Sequence, residues 1–248
     1  MNKYNCRLVQ KRKHKNRKGS GDYMVDNVIN TNSVSIVGKV ISQKEFSHEM
    51  YGEGFYTFNV EAPRLSDHSD VLPITISERL LINVNLDQGT YLVIDGQLRS
   101  YNRYVNGNNK LLLTVFARDI YSPNNEEELQ ELLKKPNEIY LDGFICKNPV
   151  YRTTPFGREI TDLLIAVNRP YNKSDYIPCI AWGRNARFCE KLKVGDHIKI
   201  WGRIQSRDYQ KKLSDGTVYN KIAYEVSISK LEFVENDNNR NEKEMEWE

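Results

Sequence analysis

Leu192-Lys193-Val194-Gly195, followed by Trp201-Gly202-Arg203-Ile204-Gln205-Ser206, echoes an earlier stretch, Leu86-Asp87-Gln88-Gly89 followed by Asp95-Gly96-Gln97-Leu98-Arg99-Ser100. The match extends upstream. Ser35-Ile36-Val37-Gly38-Lys39-Val40-Ile41 aligns with Tyr140-Leu141-Asp142-Gly143-Phe144-Ile145-Cys146, Val60-Glu61-Ala62-Pro63-Arg64 with Ile165-Ala166-Val167-Asn168-Arg169, and Ser69-Asp70-Val71-Leu72-Pro73 with Ser174-Asp175-Tyr176-Ile177-Pro178. A repeat this long is a duplicated domain and not a solenoid unit. The 248 residues suit two domains of about 100 to 150 residues each.

Within a copy, short runs of Ile, Val, Tyr and Thr alternate with polar residues between turn formers, the pattern of half-buried strands. Arg184 to Leu192 interrupts it with Ala186, Cys189 and Leu192 at three-residue spacing beside Phe188, an apolar helical stripe stopping before Gly195. Three strands, a helix and two strands is the order of an OB-fold. The expected architecture is all-β with minor α: two tandem five-stranded OB barrels, each with one helix between strands three and four. Gly143 and Gly202, isolated within strand patterns, mark bulges or bends. The boundaries read as a basic, disordered segment at 1–30, a first barrel at 31–123, a linker at 124–136, a second barrel at 137–234 and an acidic, disordered tail at 235–248. The linker is a helix over 126–136, opened by Glu126, Glu127 and Glu128, closed by Lys134 and Lys135 and stopped by Pro136; Leu129, Leu132 and Leu133 are its packing face.

The net charge of +3 conceals a marked asymmetry. Residues 1–18 hold eight Lys or Arg and no acid, 19–123 hold eight against twelve acids, 137–234 hold sixteen against eleven, and 235–248 hold two against six. A polyanion partner for the second copy follows. No apolar run approaches the ~18 residues of a membrane span, and Met1-Asn2-Lys3-Tyr4-Asn5-Cys6-Arg7 opens no secretion signal, so a cytoplasmic, nucleoid-associated location is expected. Cys6, Cys146, Cys179 and Cys189 form no C-x-x-C pair, and Cys179 and Cys189 read as small buried residues. Phosphate-loop and dinucleotide glycine patterns are absent, the four histidines form no cluster with a nucleophile, and no cofactor or metal is expected.

Asp175-Tyr176-Ile177-Pro178-Cys179-Ile180-Ala181-Trp182 is the third strand of the second copy. Alternation sends Ile177, Cys179 and Ala181 inward and Tyr176, Pro178, Ile180 and Trp182 outward. Large rings on a solvent face suit stacking by the bases of a single strand, worth about 1–3 kcal/mol each, with Lys and Arg alongside for phosphates. Tyr171, just past strand two, and Tyr209, following Arg203, Arg207 and strand four, fall on projecting loops, where OB barrels bind strands. Arg152, Arg158, Arg169, Lys173, Arg184, Arg207, Lys211 and Lys212 are candidate phosphate contacts; Trp201 divides evenly between a structural role and binding. The run Lys11-Arg12-Lys13-His14-Lys15-Asn16-Arg17-Lys18 adds charge for a polyanion.

The second copy resembles the bacterial single-stranded DNA-binding protein family. The resemblance rests on Asn137-x-x-x-Leu141-x-Gly143, Asn148-Pro149-x-x-Arg152-x-x-Pro155-x-Gly157, Leu164-Ile165-Ala166-Val167-Asn168-Arg169-Pro170, Tyr176 to Gly183, and Gly202-Arg203-Ile204-Gln205-Ser206-Arg207, in that order. It implies a non-catalytic, sequence-tolerant coat for single-stranded DNA in replication, recombination and repair, with Tyr171, Tyr176, Trp182 and Tyr209 as stacking residues. It also implies a homodimer, since the family assembles four barrels. The first copy has Leu65 or Ser66, Val71 and Ser77 where the second has Tyr171, Tyr176 and Trp182, so it reads as architectural, with Tyr101 and Tyr104 its remaining rings. The tail ends Glu244-Met245-Glu246-Trp247-Glu248 without the family's Pro-Phe, which counts against recruitment of replication and repair proteins through it. Three rivals stand beside this reading: an RNA-binding OB protein, a protein-interaction adaptor, and a metal-dependent nuclease using Asp162, Asp175 and Asp208.

Overall fold

Asn32-Ser33-Val34-Ser35-Ile36 and Asn137-Glu138-Ile139-Tyr140-Leu141 alternate polar and apolar residues, so each strand buries one row and leaves its edge free to pair. In a computed structural model, which describes residues 30–105, 108–212 and 218–235, these two strands pair with each other. The first barrel comprises β1 (Asn32–Val40), β2 (Glu45–Met50), β3 (Glu53–Pro63), β4 (Ser69–Ser77), β5 (Tyr91–Val105) and β6 (Asn108–Tyr121). The second comprises β7 (Asn137–Ile145), β8 (Val150–Thr153), β9 (Glu159–Arg169), β10 (Lys173–Trp182), β11 (His197–Lys212) and β12 (Val218–Phe233). Each barrel has the five strands of the OB order plus a short extra arm, β2 or β8, whose polar, turn-rich sequence hides it from a periodicity reading. The barrels close alike, by antiparallel β1–β3 and β7–β9 contacts and parallel β4–β6 and β10–β12 contacts.

The junction has approximate two-fold symmetry. Along β1–β7, Asn32 faces Leu141, Val34 faces Ile139 and Ile36 faces Asn137. Asn32 exchanges hydrogen bonds with the Leu98 backbone at 2.8 and 2.9 Å, and Asn137 with the Ile204 backbone at 2.7 and 2.9 Å. Six strands therefore run continuously in the order β6-β5-β1-β7-β11-β12.

The register shifts at Asp95/Gly96 and at Trp201/Gly202, so both bulges fall at the same point of the repeat. A Cβ on Gly202 would stand 2.1 Å from the Ser227 carbonyl oxygen, and one on Gly96 2.2 Å from that of Phe116. Gly202→Ala must push β11 and β12 apart. Its expected cost is about 1–3 kcal/mol, read as a lower urea midpoint; an unchanged midpoint would show that the strand pair yields freely.

The helices are shorter than the sequence implies. α1 spans Glu126–Leu132, capped by Asn125, whose side chain accepts from Glu128 N at 2.8 Å, and stops before the lysines. Leu129, Leu132 and Leu133 pack with Val37, Tyr91 and Val93 of the first barrel. α2 spans Arg184–Cys189; Leu192 is buried in the following turn, and Phe188 is exposed instead of joining the stripe. The first barrel places a 3-10 turn, Glu78–Asn83, where the second has α2. Cys179 and Cys189 are buried, and burial pushes the Cys189 thiol up to about 12. Among the described residues no helix is long and apolar enough to cross a membrane.

Candidate nucleic-acid interface

The central strand of the site is β10. Ile177, Cys179 and Ala181 enter the core, while Tyr176 and Pro178 are half-buried and Trp182 is 36% exposed. Ile180 departs from the expectation. Its alternation faces outward, but it is flanked by Asp162 of β9 and Ser227 of β12 in register and is buried. Trp182 Nε1 donates to Ser227 Oγ at 3.2 Å, which fixes the indole against the sheet with part of its surface in solvent.

The same outer face continues onto both neighbours. On one side Trp182 faces Ile160, which in turn faces Arg152 of β8. On the other, Ser227 faces Arg203, Glu225 faces Gln205, Ala223 faces Arg207 and Lys221 faces Tyr209. Tyr209 is exposed on the extension of β11. Gln205 donates to Glu225 at 2.7 Å, and Arg207 lies 3.5 Å from the same carboxylate. Ser227 and the Gln205–Glu225 pair escape a sequence reading that treats β10 alone; the alternation of strand five is the signal that finds them.

Tyr171 tips the β9–β10 hairpin, 94% exposed. Its φ is 61° and that of Asn172 is 56°, and holding a tyrosine in the left-handed region costs about 1 kcal/mol. The Arg169–Lys173 pair closes the hairpin beneath it.

The cations divide. Arg158, Lys173 and Arg184 are exposed, and Arg152 lies on the surface in a bidentate pair with Asp162, its Nε 2.7 Å from Oδ2. The side chains of Lys211 and Lys212, and of Tyr104 in the first barrel, lie outside the described residues, as do the basic run 11–18 and residues 236–248. Arg169 stands apart from these cations. Its Nη2 sits 2.7 Å from Asp175 Oδ1 and donates to the Ser100 carbonyl at 3.1 Å, so its charge is spent between the barrels.

Asp175 is fully buried and also takes the Ser100 amide at 2.6 Å and Arg99 Nη1 at 3.0 Å, while Tyr176 N donates to Ser100 Oγ at 2.7 Å. The repeat generates the mirror arrangement. Arg64 pairs with Asp70 at 2.7 Å, Asp70 accepts from Ser206 N at 2.8 Å, and Val71 N donates to Ser206 Oγ at 3.0 Å. By these bonds Val71 is the counterpart of Tyr176, which places an aliphatic side chain where the second barrel has a ring. Ser77, at the position of Trp182, is occupied in capping the 3-10 turn and bonding Glu53. Beside this face lies a 270 Å³ groove lined by Glu45, Asn59, Tyr101 and Tyr224 among others.

The carboxylates do not assemble for metal chemistry. Asp162 is held by Arg152 and Asp175 by two arginines, and among the described residues no group of three His, Cys, Asp or Glu could hold an ion.

Residues 136–234 match the model of the single-strand binding protein family. That match falls on the second barrel. The match covers less than half of the chain. The chain is 34% identical over 107 residues to the single-stranded DNA-binding protein of Oceanobacillus iheyensis, covering 40% of this chain and 63% of that protein. It is 32% identical over 112 residues to single-stranded DNA-binding protein 3 of Listeria innocua, covering 42% and 66%. The chain thus spans less than two thirds of the length of these curated relatives. The single-stranded DNA-binding protein of Thermus aquaticus superposes over 83% of this chain and 93% of its own with a TM-score of 0.65 at 18% identity, which shows that the tandem fold recurs across both barrels.

At the edge of the family domain, Glu159 receives Arg187, at 2.6 Å, and the Tyr151 hydroxyl, also at 2.6 Å, and these hold its carboxyl down to about 2. Its folded value lies below the ordinary ~4.3, so the stabilisation is present above that value and is lost as pH falls through about 2. A carboxyl NMR titration of Glu159 is expected to show this midpoint; a midpoint near 4 would mean that the bridge does not persist in solution.

Proposed function

We propose that the chain is a non-catalytic, sequence-tolerant single-stranded DNA-binding protein that coats exposed strands in replication, recombination and repair. The observation that carries the reading is the outer face of β10: Trp182 and Tyr176 stand exposed or half-exposed in the family-matched barrel, with Tyr171 and Tyr209 at its flanks. Arg152, Arg158, Lys173, Arg184 and Arg207 supply surface charge for phosphates. The first barrel serves the assembly, because its matching positions hold Val71 and Ser77.

We place the protein in the cytoplasm with the nucleoid, as a homodimer presenting four barrels. Within the six-stranded sheet, α1 covers the first-barrel half of one face. The second-barrel half carries Tyr140 and Trp201 with ring centroids 5.1 Å apart and Lys230 4.4 Å over Trp201, and it is the surface we assign to the second chain. Sedimentation showing only monomer at micromolar concentration would overturn the dimer.

The test is titration with poly-dT, following Trp182 fluorescence. Quenching that disappears in Trp182→Phe and weakens in Tyr176→Ala supports stacking. Failure to bind at low salt would leave an adaptor, and displacement by single-stranded RNA at equal concentration would favour RNA.

A further inference from the structure

The β8–β9 hairpin carries an aromatic ring that the family reading leaves unused. Its turn is fixed on every side. The Thr154 carbonyl accepts from Gly157 N at 2.9 Å, Thr154 N donates to the Arg158 carbonyl at 2.8 Å, and Thr154 Oγ1 accepts from Arg158 N at 3.0 Å. Pro155 presets the first central position of this turn, Phe156 takes the second, and Gly157, at φ 74°, closes it in the left-handed region. At the base, Glu159 is gripped by Tyr151 and Arg187. The scaffold holds up Phe156, 92% exposed. A phenyl ring in water on so ordered a support contributes nothing to the core.

The first barrel repeats the device with different surroundings. Tyr51, 99% exposed at φ 54°, precedes Gly52 at φ 75°. Residues 44–53 around it hold Glu45, Glu49 and Glu53 against Lys44, while residues 147–158 hold Lys147, Arg152 and Arg158 and no acid. One aromatic tip repels a polyanion and the other attracts it.

The register connects Phe156 to the site. Trp182 faces Ile160, Ile160 faces Arg152, and Arg158 immediately precedes β9. Phe156 stands four residues before Ile160, in the turn that joins β8 to β9, and so lies no more than about 14 Å from it. An extended strand leaving Trp182 along this arm passes two guanidinium groups before it meets the ring.

We propose that Phe156 is a further base-stacking residue, which carries bound single-stranded DNA past Trp182 and over the tip of the β8–β9 hairpin. The inference rests on the single-stranded DNA reading. It gives the binding path a defined end and lengthens the site beyond the four aromatic positions that the family pattern supplies.

The experiment compares the full-length chain with Phe156→Ala and, as control, Tyr51→Ala, on a ladder of oligo-dT lengths. Phe156→Ala is expected to lose about 5- to 150-fold in affinity for long oligonucleotides and to reach its affinity plateau at a shorter length, while Tyr51→Ala matches the parent. Phe156→Trp in a Trp182→Phe background is expected to regain a quenching signal with dT. If the parent's Trp182 is quenched but Phe156→Ala binds every length as the parent does, the proposal is overturned and the single-stranded DNA reading stands. If Trp182 itself is not quenched, the underlying reading fails first. A changed sedimentation coefficient with unchanged dT affinity would assign the ring to contacts between copies, and would also overturn the proposal.

Discussion

Asp175→Ala is expected to lower the unfolding free energy by about 3 kcal/mol, read as a shift in urea midpoint at constant slope. The carboxylate has no solvent exposure, and its removal strands Arg99 and Arg169, which are mostly shielded from water, together with the Ser100 amide. Unpaired buried charge is among the few causes of so large a loss. Asp70→Ala is expected to cost less, because the structure gives Asp70 one guanidinium partner, Arg64, where Asp175 has two. Equal losses in the two variants would mean that Arg99 adds nothing to the clamp. Asp175→Asn retains an acceptor for Ser100 and should fall between Asp175→Ala and the parent. Because Tyr176 is the next residue and its amide is held by Ser100, Asp175→Ala should also weaken binding of single strands.

Trp182→Ala is expected to weaken poly-dT binding by about 1–3 kcal/mol, a 5- to 150-fold rise in Kd. The dependence of affinity on salt should stay the same, because no phosphate contact is lost. Lys173→Ala is expected to do the opposite, with a smaller loss in affinity and a salt slope shallower by about one ion. Measuring both at several salt concentrations separates stacking from charge. A Trp182→Ala variant that changes the slope as Lys173→Ala does would show that the indole acts by shaping the basic surface and not by stacking.

Alternation along β10 is legible because the strand is central and its inward row is purely apolar; Ile177, Cys179 and Ala181 leave no ambiguity of face. Ile180 is misread by the same rule, since alternation gives a direction and not what covers it. The duplication is legible from residue identities alone, and it already sets Arg64 and Asp70 against Arg169 and Asp175. What it does not reveal is that each pair closes on a serine of the other barrel, Ser206 or Ser100. That contact joins residues 69 or more positions apart and depends on the β1–β7 pairing, so Arg169 reads as a free cation until the barrels are docked. The 3-10 turn and the β2 and β8 arms are too short to carry a period. Phe156 is visible as a residue, but its exposure is a property of the turn.

The β1–β7 pairing has a further consequence, because the two barrels it joins are one covalent chain. Separate barrels would hold together only above their dissociation constant, whereas a tethered pair meets at an effective concentration in the millimolar range. Dilution therefore does not part them. Each half is also free to change its residues without imposing the same change on its partner. Val71 and Ser77 can depart from Tyr176 and Trp182 while Arg64, Asp70 and Ser206 keep the joint, a division of labour that two identical subunits do not permit.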